Sequence, residues 1–153
     1  MTTDFQKDSL VFAQKCFDDV RAMSKDTTGV SRQGYSPVET KVLEYFKKIG
    51  VELNLEISTD KAGNVWMTVP GKNRELPALV SGSHADSVPQ GGNYDGLAGI
   101  VAALTVARWM RETGYQPERD YSWHWPQPGC LPGLRPAGGE SSSCFPPGSE
   151  APP

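Results

Sequence analysis

The chain has 153 residues, enough for one ordinary domain, with a formal net charge of −3 and a pI near 5.4. That charge gives no purchase to a nucleic acid or an anionic membrane surface. No run approaches the roughly 18 apolar residues of a membrane span, and MTTDFQKDSLVF lacks the basic start and apolar core of a signal peptide. The three cysteines, Cys16, Cys130 and Cys144, have no CxxC spacing. They support neither a disulfide framework nor a thiolate zinc site, so a cytoplasmic chain is the expectation.

Phe5, Phe12, Cys16, Phe17, Val20 and Met23 recur at helical spacing among Asp and Lys, and predict an amphipathic helix over 5–23. Residues 27–35 are polar and contain Gly, and read as a loop. Ser36-Pro37-Val38-Glu39 is a capping box with Pro at the first helical position: Ser36 accepts from the Glu39 amide, and the Glu39 side chain returns to the Ser36 amide. Val42, Leu43, Phe46 and Ile49 carry this helix to Gly50, which reads as its stop. VELNLEIS (51–58) alternates apolar and polar and predicts a strand. A turn at 60–63 leads to a second strand, NVWMTV (64–69), closed by Pro70-Gly71. Residues 76–81 form a third strand, apolar on both faces, expected to lie inside a sheet covered by helices. A helix rich in small residues follows over 96–112, with Asp95 as its N-cap and Gly114 beyond its end. Residues 119–122 begin another strand.

At Trp123 the pattern stops. Eight of the 13 prolines and five of the 16 glycines fall in 123–153, the composition of a disordered, low-complexity tail. The expected organisation is therefore an α/β portion over 1–122 and a Pro/Gly-rich tail over 123–153.

The chemistry is concentrated in LVSGSHADSVPQGGNYDGLAG (79–99), a strand, a Gly-rich loop and a helix start. In an open α/β sheet, ligands collect at the carboxyl ends of strands. His84 offers an imidazole there. Asp86, two residues on along an extended backbone, can accept from the other ring nitrogen and so fix the tautomer. Asp95 has two oxygens and could bridge two ions, and Gly91 and Gly92 let the loop fold back to bring it beside His84. A divalent metal that activates water takes such neutral imidazole and carboxylate donors. Each residue has a plainer reading: His84 as a hydrogen-bonded loop residue, Asp95 as a helix cap. The grouping is what points to a metal.

The string GSHADSVPQGGNYDGLAGIVAAL resembles the metal-site segment of the zinc-dependent amidohydrolases that include N-carbamoyl-L-amino acid hydrolase, β-ureidopropionase and allantoate amidohydrolase, within the aminoacylase/carboxypeptidase-like superfamily of two-metal hydrolases. GVSRQGYSP is similar to that family's first loop and KAGNVWMTVPG to its second strand pair, so the resemblance covers about 5–122. It implies the N-terminal part of a two-metal hydrolase catalytic domain, incomplete, with a mixed sheet and flanking helices. It implies two divalent ions, Zn or Mn, with His84 ligating one, Asp95 bridging both and Asp86 orienting His84 for catalysis. The implied substrate is a small molecule whose carbamoyl or ureido C–N bond, not a peptide bond, is cleaved by metal-activated water. Full-length members dimerise through a smaller domain that has no counterpart here.

The sequence departs from the family's pattern in one important respect. The family's general base is the first of two adjacent glutamates, the second being a ligand, after the strand that begins near Tyr121, and further histidine ligands follow. This sequence has no Glu-Glu pair, and its only other histidine, His124, sits in an unmatched WHWP context. The expectation is a fragment that is inactive by itself and binds metal weakly or not at all, with residues 123–153 read out of frame from a shift near Ser122. The rival readings are a non-catalytic binding module that kept part of the fold, and a small structural α/β domain.

Overall fold

The computed structural model describes residues 3–61 and 63–125. The expected tail beyond 125 lies outside the described residues. Helix α1 spans Thr3–Ser24 and helix α2 Pro37–Glu52. Between them, where a loop was expected, strands β1 (Lys25–Asp26) and β2 (Gly29–Val30) form a small antiparallel hairpin. β3 (Glu56–Thr59), β4 (Val65–Val69), β5 (Leu79–Gly82), helix α3 (Leu97–Thr113) and β6 (Tyr121–Trp125) complete the described chain. The expectation of an α/β fold with a mixed sheet and flanking helices is borne out.

The main sheet has the order β3-β4-β6-β5. β3 pairs antiparallel with β4, and β4 antiparallel with β6, whereas β5 runs parallel to β6. Strand alternation puts Val65, Met67, Trp123 and Trp125 on one face, all buried. There they join Val42 and Phe46 of α2 and Ile100, Leu104 and Ala107 of α3 in one core. Trp125 meets the Phe46 ring with centroids 5.7 Å apart. On the opposite face His124 stacks on Trp66, centroids 4.4 Å apart, and the Thr68 and Ser122 hydroxyls are 2.8 Å apart.

Four expectations are corrected. Gly50 does not stop α2. The helix runs on to Glu52 and ends in a Schellman arrangement, with Leu55 N–H donating to Gly50 O and Asn54 N–H to Val51 O. Asn54 supplies the left-handed residue, at φ 51°. Gly50 is small for a different reason: a Cβ there would lie 2.8 Å from Met67 Sδ. Residues 51–55 are therefore helix end and turn, and β3 starts only at Glu56. Among the described residues β5 is an edge strand paired on one side, and Leu79 and Val80 are exposed rather than sandwiched. Finally, the last strand does not fade at Ser122: β6 continues through Trp125, and Trp123 and Trp125 are both 1% exposed.

The capping box is present with one change. Ser36 Oγ accepts from Glu39 N–H at 3.2 Å, but the Glu39 carboxylate takes the Tyr35 amide, one residue before the expected Ser36.

Candidate metal site

The parallel pairing of β5 with β6 continues one residue past Gly82, where Ser83 N–H donates to His124 O at 3.3 Å. His84 therefore leaves the sheet at the carboxyl end of β5, the position expected for a ligand site. Its Nδ1 lies 3.1 Å from Asp86 Oδ1 and 3.1 Å from the Asp86 carbonyl oxygen. A proton on Nδ1 satisfies both acceptors and leaves the Nε2 lone pair free. Nε2 faces Asp95 Oδ1 at 3.9 Å. Both side chains are accessible, His84 at 35% and Asp95 at 53%.

The loop between them is tightly drawn. Ser83 Oγ donates to Gly96 O at 2.6 Å, closing β5 onto the start of α3. Val30 and Gly91 exchange backbone hydrogen bonds at 3.1 and 2.8 Å, and a Cβ on Gly29 would lie 2.6 Å from Gly91 O. Asn93 Nδ2 donates to Phe17 O at 3.1 Å, anchoring the loop to α1. The backbone freedom is not used at the two glycines expected to supply it. The left-handed positions are Gln90 (φ 54°) and Gly96 (φ 66°). Gly91 is small because Val88 O would sit 2.9 Å from its Cβ, and Gly92 faces open space.

Asp95 is not the N-cap of α3. Gly96 holds that position, with no side-chain cap, and Asp95 contributes only its carbonyl, which accepts from Leu97 N–H at 2.6 Å. The carboxylate is thus free to turn toward His84. A Cβ on Gly96 would lie 2.5 Å from His84 Cε1, so the helix start and the imidazole are in direct contact.

Two donors each about 2.0–2.2 Å from one tetrahedral zinc ion lie ~3.4 Å apart. The 3.9 Å between Nε2 and Oδ1 is wider than that, by an amount a small side-chain rotation would close. Among the described residues no group of three or more His, Cys, Asp or Glu is placed to hold a metal ion; the structure brings together His84, Asp86 and Asp95 only as two neighbouring pairs. His124 is part of neither. It stacks within the sheet on Trp66, and burial lowers its pKa.

The sequence reading missed the residues beneath the loop. Arg32 is fully buried, and Ser87, also buried, donates its N–H to Arg32 O at 2.8 Å. An arginine between Ser and Gln in a polar stretch carries no signal of burial.

No protein-family model matches the sequence. Curated proteins do. A ureidoglycolate hydrolase of Oryza sativa subsp. japonica is 34% identical over 107 residues, 69% of this chain and 22% of that protein. An N-carbamoyl-L-amino-acid amidohydrolase of Paenarthrobacter aurescens is 37% identical over 106 residues, 67% of this chain and 26% of that protein. Among solved structures, a hydantoinase/carbamoylase family amidase from Burkholderia multivorans superposes with a TM-score of 0.73 at 24% identity, over 76% of this chain and 29% of that one. The chain thus spans about a quarter of the length of the proteins it matches. The resemblance drawn from the His84–Asp95 segment is borne out over part of the chain.

Proposed function

We propose that this relative of the ureidoglycolate, N-carbamoyl-amino-acid and allantoate amidohydrolases carries the first part of a two-metal site for hydrolysis of carbamoyl or ureido C–N bonds in small molecules. The observation that carries this reading is the His84 Nε2–Asp95 Oδ1 pair at 3.9 Å, with His84 Nδ1 held by Asp86. His84 through Nε2 and Asp95 through its carboxylate would hold the metal, Zn or Mn, with Asp95 as the bridge between two ions. The metal, when bound, supplies a water of lowered pKa and polarises the substrate carbonyl. Asp86 keeps the Nδ1 proton in place, fixing the tautomer in which Nε2 is a ligand. The open face of the pair, with both side chains accessible, leaves room for a small substrate.

The 153-residue chain by itself is read as inactive. It contains no Glu-Glu pair to serve as general base and further ligand, and no third histidine. A general base contributes typically ~10²–10⁴-fold, and a metal held by two protein donors binds weakly. The absent groups are attributed to a frame shift just past β6, because Trp123 and Trp125 still belong to the core. Another frame of the coding DNA should then restore a strand ending in Glu-Glu, and that reading is withdrawn if none does.

Turnover of an N-carbamoyl-L-amino acid, ureidoglycolate and allantoate, assayed with added Zn²⁺ or Mn²⁺, tests the proposal. No rate above the protein-free control is expected. Chelator-sensitive turnover would overturn the inactivity.

A further inference from the structure

The loop that carries His84 and Asp95 is pinned by a residue that takes no part in the chemistry described above. Arg32 is fully buried. Its Nε donates to Ala85 O at 2.8 Å, its Nη1 to Ser24 Oγ at 3.2 Å, and its Nη2 makes a longer contact with Asn93 O at 3.5 Å. Its backbone N–H donates to Ser87 Oγ at 3.0 Å. Ala85 lies between His84 and Asp86, and Asn93 is two residues before Asp95. One planar group therefore ties both ends of the loop to the last residue of α1.

Burying a charge is unfavourable unless hydrogen bonds or opposite charges compensate it. Among the described residues no carboxylate forms an ion pair with Arg32. Burial lowers its pKa, and the negative charges that oppose the shift are Asp95 and Asp86. The guanidinium is thus held by carbonyls on the loop and by the field of the two carboxylates that the loop presents. A lysine could carry the charge, but one ammonium on a flexible stem does not reproduce a rigid fork aimed at three acceptors.

We propose that Arg32 is a positioning residue that sets the separation of His84 and Asp95 by clamping the loop at Ala85 and Asn93. The clamp deepens the metal-site reading and rests on it for its functional consequence.

Hydrogen exchange of the full chain, read by mass spectrometry, tests the clamp in Arg32→Lys, Arg32→Met and Ser24→Ala. In Arg32→Lys, exchange across 83–92 should rise by about tenfold or more, while segments 65–69 and 100–107 keep wild-type exchange, the signature of local opening. Ser24→Ala, which removes the Nη1 acceptor together with the Ser24 Oγ bond to Val20 O at the end of α1, should give a smaller rise with the same pattern, and it decides the matter if the Arg32 variants do not fold. Loop and core exchange rising together would overturn the proposal, as would an unchanged loop. Zn²⁺ uptake by the wild type separates the two readings. A loop released in Arg32→Lys, in a chain that takes up no Zn²⁺, keeps the clamp and removes the metal-site reading.

Discussion

Glu39 stands at the start of α2 with its carboxylate buried and bound to the Tyr35 amide. Burial raises its pKa above the ordinary 4.5, Asp86 adds to the rise, and the Tyr35 hydrogen bond works against it. The folded state therefore holds this proton to higher pH than the unfolded chain does. Its contribution to stability is fully present below the unfolded pKa and is lost as pH rises through the raised folded value. Glu39→Gln keeps an oxygen for the Tyr35 amide and removes the charge. Its urea midpoint should exceed that of the wild type at about pH 7, and the advantage should vanish at about pH 4. A loss of stability that is equal at both pH values would show that the charge is not what matters. At this scale the sequence was legible where chemistry is local. Ser36 and Glu39 announce a cap by spacing alone, and the spacing of His84, Asp86 and Asp95 announces side chains that the fold does bring together. Arg32 was not legible, because its burial is created by Ser24, Ala85 and Asn93, which only the fold brings together.

Gly96 joins the loop to α3 and shows what a glycine means at the element scale. It sits at φ 66°, and a Cβ would lie 2.4 Å from His84 O and 2.5 Å from His84 Cε1. Gly96→Ala should destabilise by about 1–3 kcal/mol from backbone strain alone, with a further loss from displacement of the imidazole. Gly92 faces open space, so Gly92→Ala should be neutral or gain up to about 1 kcal/mol through the unfolded state. Urea titration of both variants checks the contrast, and equal effects would contradict this account of the loop. Helix existence was readable from apolar spacing, and the end of α3 from Gly114, which takes the left-handed C-terminal position at φ 67°. The end of α2 was not. Gly50 resembles a stop in sequence but is a packing position against Met67, and Asn54 supplies the turn.

On the scale of the whole molecule, sheet order decides where the site lies. β6 inserts between β4 and β5, so among the described residues β5 stands at the edge and its carboxyl end lies beside the start of α3. The sequence could not supply this order. PALVS reads as a buried strand because both faces are apolar, yet Leu79 and Val80 are exposed in the described structure. Nor could it supply the end of β6, since Trp123 and Trp125 stand in a Pro-rich stretch whose composition hides their place in the core. What the sequence did carry was the link between the loop and a family of amidohydrolases. The claim that gives the molecule its function is that His84 and Asp95 together hold a metal. Zn²⁺ binding, measured by competition with a chromophoric chelator on the wild type, His84→Ala and Asp95→Ala, tests it most directly. Weak binding by the wild type, lost in both variants while all three keep the same fold, is the expected result. A wild-type affinity no different from that of the two variants would contradict the account.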